Sequence, residues 1–368
     1  QNPVESLLYH IEEYKNATFF WHPSPATQRF FVIYYLYLKY KDSRLLAELD
    51  ITVNYIVDNI EIQLDGNHFL DNLLAVLAYA NLFDNEDLLL RVGKSIDVYF
   101  LSNHAYFPEK TPCYCSLLYS RLKLLESVSS EKEVFHTITS KLEDLLLNNP
   151  SVHLNDSYLE MKNWFSVYPK TDKLCGDYFV QKIYKNKIIT MIGNGFAKRG
   201  YQAHSHDNSA SIFVYSDNGR QIIGGLGTES YAAGVERNFV RSCSSYFRPK
   251  KISQKIDFKY FLGSFRNFSI DRNIYDLSLS CDGCELSIRG GYKVKLVNNE
   301  IQFMNVKNSQ LVFWSDYCAE ELFDIFNFVS IDLIRIEKAE RYDGIYNIIT
   351  CYKYTIRIEQ DLSVMTFN

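Results

Sequence analysis

No run of about 18 consecutive apolar residues occurs in this 368-residue chain, so no membrane-spanning helix is expected. The most apolar segment, Phe30 to Leu38, is too short to span and reads as a buried helix. The N-terminus lacks a basic segment followed by an apolar one. No signal peptide is therefore expected, and a cytoplasmic location is favoured over a periplasmic one. There is no long basic run, and a net charge of −5 argues against nucleic acid as a partner. The eight cysteines lack disulfide-framework spacing and read as reduced, mostly structural thiols. Cys281 and Cys284 form a lone CxxC, and no second one exists to complete a zinc site. Asp282-Gly283 between them is a hairpin-turn signal with alternating segments on either side. Two cysteines flanking a β-turn is the favoured reading, with a redox pair as the alternative. Internal repeats and low-complexity tracts are also missing.

What is present fits a globular protein: 47% hydrophobic and 23% charged residues. The length exceeds one ordinary core, which predicts two domains. Aromatics reach 15%, with 28 Tyr and 25 Phe. Such a content suits carbohydrate, whose rings offer apolar faces beside hydroxyl edges; an AT-rich coding bias explains it equally well. Residues 1–168 read as helices, with apolar residues at three and four spacing in Leu7-Leu8-Ile11-Tyr14, Phe30-Ile33-Tyr34-Tyr37, Leu70-Leu73-Leu74-Leu77 and Leu117-Leu118-Leu122-Leu125. Turn signals separate them, which predicts antiparallel helical hairpins in a helical array or partial toroid. Residues 169–368 change to a period of two. Tyr178 to Tyr184, Lys187 to Ile192, Ser211 to Tyr215, Gln221 to Ile223, Tyr292 to Val297, Ile301 to Met304, Leu311 to Trp314 and Tyr352 to Ile358 read as strands of an antiparallel β-sandwich. One short helix near Ala319 interrupts them.

Three polar clusters stand out. Gly66-Asn67-His68-Phe-Leu-Asp71-Asn72 precedes an apolar helix. Asn67 is placed as its N-cap, with His68, Asp71 and Asn72 on one helical side. Taken alone, a capped helix with a solvated first turn is the favoured account. The second cluster, Glu109-Lys-Thr-Pro112-Cys-Tyr114, is a loop entering a helix. The third is His204-Ser-His206-Asp-Asn208, which uses two of only eight histidines. On a strand, the i, i+2 spacing points both rings to one face. Catalytic base, metal ligands and polar strand face remain open, although two histidines are too few for a metal.

Together these segments resemble the heparinase II/III family of polysaccharide lyases. The family's β domain opens with His-x-His-x-Asp-x-x-Ser-Phe, then Asp-Pro-Gly-Thr, then Arg-Asn-x-x-Arg-Ser-Thr-x-x-His-Asn-Thr. Here stand His204-Ser-His206-Asp-Asn208-Ser-Ala-Ser211-Ile, then Gly225-Leu-Gly227-Thr228, then Arg237-Asn-Phe-Val-Arg241-Ser-Cys-Ser-Ser-Tyr246. Trp21-His-Pro-Ser-Pro25 through Arg29 is similar to the family's Trp-x-Pro-Tyr-x-x-x-x-Arg. Asn67 to Asn72 is similar to its Asn-His-x-x-x-Asn, and Glu109 to Tyr114 to its Glu-x-Ser-Pro-x-Tyr. The matches keep the family's order over residues 20–248.

The resemblance implies an incomplete α/α toroid followed by an antiparallel β-sandwich, with catalytic groups drawn from both. It implies cleavage of an acidic, uronate-containing polysaccharide by β-elimination. Asn67 or His68 would neutralise the uronate carboxylate, and His204 and Tyr114 would form the acid–base pair. Asp71, Glu109, Arg237 and Arg241 would bind substrate. No cofactor is implied. The family's structural metal is held at the positions of His206, Gly225 and Tyr246; only the first remains a ligand, so no metal is expected. Asn208 replaces the usual Asp, with Asp207 beside it as a substitute. These departures leave a rival from another class: a non-catalytic member serving glycan binding or polysaccharide assembly. A hydrolase or glycan-transfer enzyme would need a carboxylate pair, and Asp71 and Glu109 are the acids at hand.

Overall fold

The computed structural model describes residues 2–62, 66–101, 106–128, 132–148, 150–151, 171–195, 204, 206–228, 235–242, 245–251, 275–329, 333–342 and 348–368. The expected boundary at 168/169 lies outside the described residues, as do Gly200 to Ala203, Ser205, Tyr231 and Cys243. The chain packs as two units. The first is Gln1–Pro108 with Tyr114–Leu145; the second is Glu109–Cys113 with Leu146–Asn368.

The helices of the N-terminal half are α1 (Pro3–Tyr14), α2 (Pro23–Tyr40), α3 (Ser43–Asp58), α4 (Asn67–Leu82), α5 (Glu86–Ile96), α6 (Pro112–Val128) and α7 (Lys132–Leu147). Their ends follow local chemistry. The side chains of Asn2, Asp42 and Asn85 accept from the backbone N–H of Val4, Arg44 and Leu88 at 3.0, 2.9 and 3.1 Å, each covering an N–H that the helix itself leaves bare. Proline opens α1, α2 and α6, where its missing N–H costs nothing. Helix α4 is apolar on nearly every side and buries Phe69, Leu70, Leu74, Leu77 and Ala80. It contacts α2, α3 and α5, as an all-round apolar helix must. Among the described residues, no helix is long and apolar enough to cross a membrane.

The second half holds β1 (Lys173–Cys175), β2 (Phe179–Tyr184), β3 (Lys187–Ile192), β4 (Ile212–Ser216), β5 (Gln221–Ile223), α8 (Val235–Arg241), β6 (Lys250–Lys251), β7 (Tyr275–Leu279), β8 (Gly283–Ile288), β9 (Lys293–Val297), β10 (Glu300–Met304), β11 (Ser309–Ser315), α9 (Ala319–Ile325), β12 (Phe326–Val329), β13 (Leu333–Tyr342), β14 (Ile348–Ile358) and β15 (Leu362–Phe367). All pairings are antiparallel. The sheet orders are β1-β2-β3-β4-β5, β12-β15-β10-β9-β8-β7 and β13-β14-β11-β6. A bridge between Gly224 and Trp314, with Trp314 N–H donating to the Gly224 carbonyl at 3.2 Å, joins the first and third sheets. Apolar side chains of all three sheets, among them Val180, Ile189, Val214, Leu286, Leu296, Phe303, Phe313 and Ile356, meet in one buried cluster. Fold class is as the two periods predict: helices first, then a β-sandwich.

The Cys281/Cys284 segment is a hairpin joining β7 to β8, with Leu279 opposite Cys284. Cys284 is buried and Cys281 exposed; both are free thiols.

Candidate functional site

The expected site residues fall on both units. In the first, Asn67 is the first residue of α4, and Gly66 takes the extended N-cap conformation. Leu70 N–H donates to the Gly66 carbonyl at 3.2 Å, which starts the helix one residue earlier than the N-cap reading allows. Nor is the first turn solvated: Asn67, Asp71 and Asn72 are all buried. The Asp71 carboxylate accepts from Gln28 Nε2 at 3.3 Å and from Arg121 Nη1, while Arg121 Nη2 donates to Gln28 Oε1 at 2.8 Å. Burial pushes the Asp71 carboxyl up, against the pull of Arg121. Asn72 accepts from Glu61 N–H at 3.1 Å and donates to Thr27 Oγ1 at 2.8 Å, tying α2 to the entry of α4. His68 is a third exposed, with Nδ1 3.4 Å from the buried Glu61 carboxylate. Tyr114, in the first turn of α6, is half-buried.

Sequence reading missed Gln28, Glu61 and Arg121. A signal for Arg121 existed: it lies seven residues after Tyr114, two turns along one face of α6.

In the second unit, Glu109 is fully buried and sits in a sharp loop. Lys110 has φ +52°, in the left-handed region. Thr111 Oγ1 donates to the Glu109 carbonyl at 3.2 Å, and Tyr178 OH donates to the Lys110 carbonyl at 3.4 Å. The Lys110 ammonium donates to the Asn194 carbonyl at 2.6 Å and lies 4.7 Å from the Tyr178 ring centre. These contacts fix the loop so that the Glu109 carboxylate lies 3.6 Å from His204 Nε2.

His204 and His206 do not share a strand face. The Asn208 N–H folds back to the His206 carbonyl at 2.9 Å, and Asp207 N–H donates to the Arg241 carbonyl at 2.8 Å. The chain turns back just after His206, and neither His204 nor His206 lies in a strand, so the alternation rule does not apply. Instead the two rings have separate partners. His206 is buried, with Nδ1 on the Tyr246 hydroxyl and Nε2 3.5 Å from Arg237 Nη1. A guanidinium only donates, so Nε2 is the accepting nitrogen and Nδ1 carries the proton toward Tyr246. Asp207 pairs with Arg248 at 3.4 Å. Asn208 is fully buried against Gly195, where a Cβ would overlap its side-chain oxygen. Arg237 and Arg241 are both buried on α8, which the sequence reading did not foresee as a helix.

The positions that would hold a family metal do not fit one. A Cβ on Gly225 would come within 3.0 Å of the Tyr246 ring and 2.9 Å of the Ser245 carbonyl, so no carboxylate has room there. Both His206 nitrogens face other partners, one of them a guanidinium that repels a cation. Among the described residues, no three His, Cys, Asp or Glu side chains form a metal-holding group.

No family model matches the sequence, and none of the curated proteins does. In fold the chain is similar to heparinase III, with TM-score 0.66, 11% identity, and coverage of 94% of this chain and 69% of that one. It is also similar to the heparan sulfate lyase HepC from Pedobacter heparinus, with TM-score 0.59, 10% identity, and coverage of 94% and 68%. A further heparinase III gene product matches with TM-score 0.62, 12% identity, and coverage of 96% and 69%. The helical half followed by antiparallel sheets is therefore a heparinase III-like fold.

Proposed function

We propose that this protein is a polysaccharide lyase acting on a uronate-containing acidic polysaccharide. The observation that supports this most is a coincidence of fold and chemistry. A chain with a heparinase III-like fold over 94% of its length also carries Asn67, His68, Tyr114 and His204 at the matching motif positions. In the reaction, a base takes the proton on C5 of the uronate. The C–H electron pair becomes the C4–C5 double bond, the C4–O bond breaks, and an acid protonates the departing oxygen. His204 and Tyr114 supply the acid–base pair. Asn67 or His68 offsets the negative charge that grows on the carboxylate as the proton leaves. Asp71, held by Arg121 and Gln28, fixes the first turn of α4 and hence the position of His68 one turn away. Arg237 and Arg241 are proposed as cations near the sugar's acidic groups, with Arg237 also holding His206.

The solved relatives include a heparan sulfate lyase, which places heparan sulfate first in a panel of uronate polymers. Cleavage is read by absorbance of the unsaturated product. Activity on at least one polymer, lost in His204→Ala and Tyr114→Phe, is expected; a panel without any product would end the lyase reading. A second reading, a non-catalytic glycan-binding member, is favoured by Gly225 and Tyr246 alone. It predicts polymer binding without product.

A further inference from the structure

We infer that Glu109 is a positioning residue for His204: it holds the ring so that Nδ1, rather than Nε2, handles the substrate's proton. This rests on the lyase reading for its kinetic part only. The carboxylate is fully buried, with its side chain 1% exposed, and a buried carboxylate needs a charged or hydrogen-bonding partner. His204 Nε2 stands 3.6 Å away, at ion-pair distance, and an unliganded site is looser than the working one. The neighbouring cation, Lys110, is engaged by the Asn194 carbonyl and the Tyr178 ring. Glu109 thus presents its carboxylate to His204 Nε2.

An ionised carboxylate only accepts, so it favours the imidazole form with its proton on Nε2. The basic lone pair is then on Nδ1. When Nδ1 takes the C5 proton, the ring becomes a cation beside Glu109, and the carboxylate stabilises it. The benefit arises as the charge develops on the ring, in the chemical step rather than in substrate binding.

Glu109→Gln separates this from simple packing. The amide has the same shape, carries no charge, and can rotate to donate to Nε2, which moves the ring proton to Nδ1. The first measurement needs no substrate: 15N spectra of the full chain with labelled histidine, taken where the ring is neutral and assigned with His204→Gln. The Nε2–H form is expected in the wild type and a shift toward Nδ1–H in Glu109→Gln. Glu109→Asp, which keeps the charge and withdraws it, should give a smaller shift. On a cleaved polymer, Glu109→Gln should lower kcat by about a hundredfold or more with KM within about threefold, and Glu109→Asp should retain more activity. The same ring form in all three proteins, or a loss confined to KM, would overturn the assignment. If no polymer is cleaved by the wild type, the lyase reading fails, while the spectra still decide the pairing.

Discussion

Tyr246 places its hydroxyl on His206 and its ring over Gly225. Tyr246→Phe keeps the ring and removes one buried hydrogen-bonding group, leaving His206 without that oxygen. A loss of about 1–3 kcal/mol is expected, measured by denaturant unfolding. An unchanged midpoint would mean that the bond contributes nothing. Gly225→Asp should be worse in the native background and better tolerated with Tyr246→Ala, because its first side-chain atom meets the Tyr246 ring; thermal melts of the three variants check this. Most of the chemistry of these residues was readable from residue type, but their partners were not. His204 and His206 looked equivalent because alternation was assumed. Neither histidine lies in a strand, and the rings have different partners: His204 faces Glu109 and His206 meets Tyr246. Glu109 lies 95 positions upstream of His204, and no local pattern encodes so distant a contact.

Elements were more legible than contacts. Helices with clear three-and-four spacing, and strands with clear alternation such as β9 and β10, are where the periods predict. The reading named no strand at β1, β6, β12, β13 or β15 and no helix at α8. Strand β13 (Leu333–Tyr342) sits on a sheet edge, and its Arg, Glu and Lys side chains, adjacent at 337/338 and 340/341, break the apolar alternation. Helix α8 is short and carries Arg237 and Arg241, so its apolar face is brief. The β7–β8 hairpin was legible from Asp282-Gly283, and it makes a chemical prediction. Cys284 is buried beside the turn and desolvation pushes its thiol up to about 12, whereas Cys281 is exposed. With an alkylating reagent at mildly alkaline pH, Cys281 should be modified first and Cys284 protected, as read by peptide mass spectrometry. The sign of the pH effect follows. The folded chain holds the Cys284 proton more tightly than an unfolded chain, whose thiols titrate near 9. Its contribution to stability is complete below about pH 9 and is lost as pH rises toward about 12. The fall in melting temperature over that window should be shallower in Cys284→Ala; equal slopes would refute the link. Asn72→Leu tests another junction: Glu61 N–H and Thr27 lose their partner, and roughly 1–3 kcal/mol should go with it.

On the scale of the whole molecule, two features argue against a metal at His206: the lack of room at residue 225 and the guanidinium near the His206 ring. Dialysis against a chelator should leave the melting temperature unchanged. A drop restored by added zinc or calcium would show that a cation is part of the fold. The β-sandwich carries a separate consequence along β11. One long edge of that strand pairs with β14, while the opposite edge receives β6 at Gln310 and the end of β5 near Trp314. Two short pieces of chain, far apart in sequence, thus share one border. A bare strand border recruits strands from other molecules. Loosening either piece would therefore do more than weaken the sandwich: it would offer a template on which a second copy could add itself, turning a local defect into self-association.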